Sequence, residues 1–239
     1  MRGVPGLLPT AGPLANSFDD LDFFMRNVLG AEPWKHDEAA YAVGWNAPPP
    51  LPSDAALTIG VLPEDVYFPL HPPVRRALES AIAKLQAKGH RIVRLTNSSN
   101  SPYLDTAFIS RLAFEYFVYS PHDNSAMTST GEPPVKSVAV GASPMFTGPM
   151  PVDLENKDIF QLIDQLYIAR SGVADAWREL YVREKLDVVL CPGAQNTAVP
   201  HDTYGWPPYT VIWNLLDVRF ALAFFCMMIY ADLNSTRLP

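Results

Sequence analysis

At 239 residues, 48% of them hydrophobic and 18% charged, with a mean hydropathy of +0.02, the chain has the size and balance of one globular domain with a sizeable core. A formal net charge of -7 comes with no lysine/arginine block able to track a phosphate backbone, which argues against nucleic acid as a partner. The 2 cysteines, Cys191 and Cys226, have neither metal-ligand nor disulfide-framework spacing, and prolines interrupt the N-terminal apolar stretch where a signal peptide needs continuity, so a reducing, cytoplasmic setting is expected.

The first predicted element is a helix. Ser17 can cap it, Asp19 and Asp20 place negative charge in its first turn, and Leu21, Phe24, Met25 and Val28 share one face before Gly30. Such an amphipathic helix is built to dock. A proline-rich connection follows, from Ala31 to Asp54, in which Trp34, Tyr41 and Trp45 are expected to be buried pins.

Leu57 to Leu62 reads as a short strand. Pro72 and Pro73 sit where a helix start tolerates them, Val74, Ala77, Leu78, Ala81, Ile82 and Leu85 keep a helical period, and Gly89 stops the helix. Arg91 to Leu95 then reads as a second strand, completing a βαβ unit with parallel strands and a right-handed crossover. Beyond a Ser/Asn loop at Thr96 to Ser101, Leu104 to Tyr119 is apolar enough for a buried helix ended by Pro121. Asn124 to Pro151, rich in Pro, Gly, Ser and Thr, is expected to be a long exposed excursion. Helical period returns over Asp158 to Lys185, and Val188 to Leu190 is expected to be a central strand. Helices alternate with strands, so the fold class is α/β, with a sheet flanked by helices. In the tail, the apolar part Phe220 to Tyr230 is shorter than the ~20 residues a membrane span needs, so it is expected to be buried or to promote self-association.

Several segments, in order, resemble the fungal acetamidase-like enzymes of the amidase signature family. They are GPLANSFDDLDFFM (12–25), LTIGVLPED (57–65), HPPVRRALESAIAKLQAKGHRIV (71–93), YIARSGVADAWREL (167–180), LDVVLCP (186–192) and HDTYGWPPYTVIWNLLD (201–217). Their collinearity gives the match its strength. The resemblance implies an amidase-signature-like fold with a mixed sheet, truncated at its N-terminal side. Residues 1–217 would be the C-terminal portion of an amidase domain, and 218–239 a divergent apolar tail. It also implies that relatives hydrolyse carboxylic amides to acid and ammonia without metal or organic cofactor.

In that family a serine nucleophile, a second serine in a cis peptide and a lysine form the catalytic unit, because a serine hydroxyl needs a neutral base and a glycine-rich loop to hold the oxyanion. The one Ser-Ser pair here, Ser98-Ser99, lacks flanking glycines and lies downstream of GPLANSF, whereas the family's serines precede that segment. Lys35 and Lys84 match no catalytic position. No catalytic residue is therefore assigned, and the chain is expected to be an inactive fragment or pseudoenzyme. The competing readings are a non-catalytic interaction module and an amidase with another nucleophile. For the last, Cys191 with His201 and Asp202 is the sequence candidate, but Cys191 closes an apolar run, where a thiol is usually inert packing. His71 and His90 show no ligand spacing, so no metal site is expected. Tyr209, Trp213 and Asn214, with Trp206 nearby, are the substrate-pocket candidates, since the resemblance places this stretch near a cavity that takes a small amide. The alternative reading packs Trp213 and Leu216 in the core and leaves His201 and Asp202 to cap a turn.

Overall fold

The computed structural model describes residues 15–37, 55–97, 101–119, 158–201 and 203–216, together with 13, 40, 42–45, 52 and 131. The 124–151 stretch apart from Gly131, the tail beyond residue 216, Tyr41 and the pair Ser98-Ser99 lie outside the described residues. The chain divides into two compact units, Thr10–Ala55 and Met1–Pro9 with Ala56–Pro239.

In the smaller unit, helix α1 spans Phe18–Gly30 and starts as the sequence predicts, with the Ser17 hydroxyl accepting the Asp20 N-H at 3.1 Å. None of its residues is buried, and both Phe24 and Val28 are exposed. Trp45 departs from expectation: it is exposed, and its indole N-H reaches the Asp22 carboxylate at 2.6 Å. An aromatic ring with a polar edge is satisfied by that single hydrogen bond and need not be buried. Trp34 is half-buried.

In the larger unit, strands β1 (Thr58–Val61), β2 (Arg91–Arg94) and β3 (Val188–Leu190) form a three-stranded parallel sheet in the order β2-β1-β3, with Ile59 opposite both Ile92 and Val188. The βαβ unit is present with its two strands parallel, as read. Helix α2 (Pro72–Ala87) starts on its two prolines, buries Val74, Leu78 and Ile82, and ends where Gly89 takes a φ of 90° that a side chain would disfavour. One position differs. Among the described strands β1 is central and β3 lies at an edge. Val189 and Leu190, which point to opposite faces, are buried by the helices that share their core, so an apolar run signals covered faces without fixing lateral rank in the sheet.

Helix α3 (Thr106–Tyr119) is introduced by Asp105, whose carboxylate accepts the Phe108 N-H at 2.9 Å. Helix α4 (Ile159–Glu184) is capped by Asp158, which accepts the N-H groups of Phe160 and Gln161 at 2.9 and 3.0 Å. It closes on Lys185 at φ 54°, from which the Leu186 N-H returns to the Tyr181 carbonyl at 3.0 Å. Because its cap holds two otherwise unpaired N-H groups, Asp158→Ala is expected to cost about 1 kcal/mol, read as a lower urea midpoint with an unchanged m value. Helix α5 spans Pro208–Leu215. One core joins β1 and β3 to the four described α-helices of this unit through Ile59, Val189, Leu78, Leu112, Val173 and Ile212.

Candidate functional site

In open α/β sheets, ligands bind in the crevice beyond the carboxyl ends of the strands, where the order of strands reverses. In this sheet that place lies beyond β1 and β3. The chain leaves β1 through Pro63, Glu64 and Asp65, and Asp65 is fully buried. Its Oδ1 accepts the backbone N-H groups of Tyr67 at 2.8 Å and Phe68 at 3.3 Å, which folds the segment into a tight turn. Its Oδ2 has no hydrogen-bond partner. Burial pushes the Asp65 carboxyl up to about 6, against the pull of those two N-H groups, and the nearby Asp105 charge adds to the rise.

Tyr209, from the first turn of α5, closes this turn. Its hydroxyl accepts the Asp65 N-H at 3.1 Å and donates to the Phe68 carbonyl at 2.7 Å. Burial drives its phenol well above the usual range, so it stays protonated and keeps both bonds. Glu64, next to Asp65, is held as a carboxylate by a two-pronged bond from Arg75 at 2.7 and 2.7 Å, and it also accepts the Leu70 N-H. On the β2 side, Asn97 accepts from the Thr106 N-H at 3.1 Å and donates to the Glu64 carbonyl at 3.3 Å. The loops beyond β1 and β2 and the start of α3 are thereby tied together.

Helix α3 brings an unusual set of side chains against this region. Ser110 accepts the Trp206 indole N-H at 3.0 Å, and Phe114 meets Trp206 edge to face at 4.8 Å. Arg111 and Glu115, one turn apart, are 4% and 1% exposed. Both Glu115 oxygens lack a hydrogen-bond partner. Burial raises its carboxyl to about 8, opposed by the Arg111 charge, and burial lowers Arg111 in turn.

The three pocket candidates read from the sequence fall in different places. Tyr209 is 1% exposed with its hydroxyl engaged as above, Trp213 is 7% exposed with its ring edge to face with Trp177 at 5.7 Å, and Asn214 is exposed. Tyr209 and Trp213 share one face of α5, and Asn214 lies off it. Asp202 lies outside the described residues, and no described base activates Cys191. Its thiol makes a long contact to the Tyr209 carbonyl at 4.0 Å, burial pushes it up to about 11 against a smaller effect of Trp213, and His201 is exposed. Among the described residues no three His, Cys, Asp or Glu side chains are grouped to hold a metal ion. Sequence reasoning missed Asp65, Arg111 and Glu115. The available signal was three polar residues, Ser110, Arg111 and Glu115, inside an otherwise apolar helix.

Comparison with known proteins gives a consistent answer. The sequence profile of the family described as Amidase matches residues 2–236. The chain is 32% identical over 229 residues to an amidase of Gibberella moniliformis, covering 91% of this chain and 39% of that protein. To the acetamidase of Aspergillus oryzae it is 26% identical, again over 91% of this chain and 39% of the relative. Among solved structures, a fatty acid amide hydrolase superposes with a TM-score of 0.65 at 24% identity, over 86% of this chain and 34% of that one, and so shares the fold. The chain thus spans well under half the length of these relatives.

Proposed function

The chain belongs to the amidase family, and from that premise we propose that its 239 residues frame an amide-hydrolase fold without supplying the nucleophile, so that by themselves they do not hydrolyse amides. The observation that carries this reading is the setting of Ser98-Ser99. It is the one adjacent serine pair in the sequence, and it is flanked by Asn97 and Asn100 where an oxyanion loop needs glycine. A second observation supports it: the Cys191 thiol, held protonated by burial, is a poor nucleophile near neutral pH. The ligand class such a frame would accept is a small carboxamide, with Tyr209, Trp213 and Asn214 on the segment that follows β3. Cytoplasmic location belongs to the same reading. No described helix is long and apolar enough to cross a membrane.

Self-association is the competing reading, and the outer edge of β2 favours it. The Arg91 and Leu95 N-H groups bond to the Leu57 and Val61 carbonyls, so alternation turns the backbone polar groups of Ile92 and Arg94 away from β1, where no described strand meets them. Two assays separate the readings. The purified chain is expected to release no ammonia from acetamide above a buffer blank. Release that scales with protein and is lost on one point substitution would overturn the proposal and restore an active amidase. Sedimentation velocity then reads the association, which a single monomer boundary at tens of micromolar would exclude.

A further inference from the structure

Helix α4 carries an outward stripe of side chains whose spacing is the same from either end. From Phe160 it steps by four, three and four residues through Asp164 and Tyr167 to Ser171, and by four, three and four again through Asp175 and Arg178 to Val182, which keeps them all on one face. Apart from the half-buried Ser171, each of these residues is exposed. Three of them are large and apolar in body: Phe160, Tyr167 and Val182, at 77%, 62% and 74% exposure. The outer face of a helix in a globular unit ordinarily carries polar side chains, so a stripe with apolar groups at both ends is suited to a partner.

The charges along the stripe identify that partner. When two α4 helices lie antiparallel about a two-fold axis at Ser171, Phe160 of one copy falls opposite Val182 of the other, Asp164 opposite Arg178, Tyr167 opposite Asp175, and Ser171 opposite itself. Each unlike contact is then made twice, as a two-fold interface requires. Apolar meets apolar at both ends, carboxylate meets guanidinium inside them, and the Tyr167 hydroxyl meets a carboxylate to which it can donate. Arg178 gives a bond of 2.6 Å to Asp175 of its own helix and has further N-H groups for a second carboxylate. A parallel pair would instead set Asp164 on Asp164 and Arg178 on Arg178, which like charges oppose. At a rise of about 1.5 Å per residue the stripe is about 33 Å long, so a shallow crossing of about 20° keeps both ends in contact. We propose that a second copy of this chain docks on this face, forming an antiparallel α4–α4 homodimer. The pairing does not use the outer edge of β2, and it is independent of whether the chain hydrolyses amides.

Charge reversal tests the pairing. In sedimentation velocity at tens of micromolar the parent is expected to run at twice the mass of the 26.4 kDa chain. Asp164→Arg sets an arginine against Arg178 of the other copy, and Arg178→Asp sets an aspartate against Asp164. Each variant alone is expected to dimerise about 10-fold more weakly than the parent, or less than that again. Mixed in equal amounts, the two variants bring unlike charges together at both contacts and are expected to form a heterodimer of parent-like affinity. Both positions are exposed, so each variant should melt with the parent and be compared as a folded chain. A parent that stays monomeric over this range overturns the proposal. So does a single variant that dimerises as the parent does, since the association would then run through another surface such as the β2 edge. A mixture that stays monomeric overturns it as well. Ammonia release from acetamide is read separately, so failure of the pairing and failure of the proposed function are distinguishable.

Discussion

The chain is expected to lose stability as pH rises from about 5 to 9, and Glu115→Gln is expected to remove most of that loss. Glu115 is 1% exposed with neither oxygen hydrogen-bonded, and burial lifts its carboxyl from 4.5 to about 8 against the attraction of Arg111. Between those values the folded chain keeps a proton that the unfolded chain has released, so unfolding is increasingly favoured as pH rises. Below about 4.5 both states hold the proton and the penalty is absent; above about 8 both have lost it and the penalty is complete. Asp65, raised from 3.8 to about 6, acts in the same direction over a lower window. The Glu115 contribution is on the order of a few kcal/mol, enough to move the melting midpoint by roughly 5–10 °C in a chain of this size. The acid form of glutamate and the amide of glutamine are close in shape and charge. Glu115→Gln should therefore match the parent near pH 5 and melt well above it at pH 9. Parallel pH profiles for the two proteins would show that Glu115 is not the group responsible. Among the described residues, Arg111, on the same helix, acts on Glu115, and Tyr67, from the turn beyond β1, acts on Arg111.

The second large effect is expected at Tyr209. Tyr209→Phe keeps the ring in its fully buried place and removes only the hydroxyl that joins the Asp65 N-H to the Phe68 carbonyl. Leaving a buried backbone donor and acceptor without that partner costs about 1–3 kcal/mol each. A melting point about 4–10 °C below the parent is the expected outcome. Tyr204→Phe serves as the control, since Tyr204 is 42% exposed, and it should melt with the parent. If both variants melted alike, the turn beyond β1 would not depend on α5 for its closure.

The contrast between these two sites explains what the sequence could convey. The βαβ unit was legible because its punctuation is local: Pro72 and Pro73 can only start a helix, and the left-handed turn at Gly89 can only end one. Helix α4 was legible from its period and from Asp158 at its cap. The rank of β3 was not, because an apolar run records covered faces and the order of strands is decided by the path of the whole chain. Arg111 and Glu115 went unread for a related reason. An Arg and a Glu four residues apart usually mark a solvated helix face, and only the packing around α3 turns them into a buried pair. Tyr209 and Trp213 drew attention as aromatic rings beside a polar Asn214, yet the hydroxyl of one is committed to the turn beyond β1 and the ring of the other to Trp177.

The most direct measurement is the intact mass of the folded chain after incubation with an alkyl fluorophosphonate, which bonds to serines activated as nucleophiles. A chain that frames the amidase fold without a nucleophile keeps its mass of 26.4 kDa. A single phosphonyl adduct, mapped to one serine and suppressed by excess acetamide, would contradict that reading and identify the nucleophile that these residues are proposed to lack.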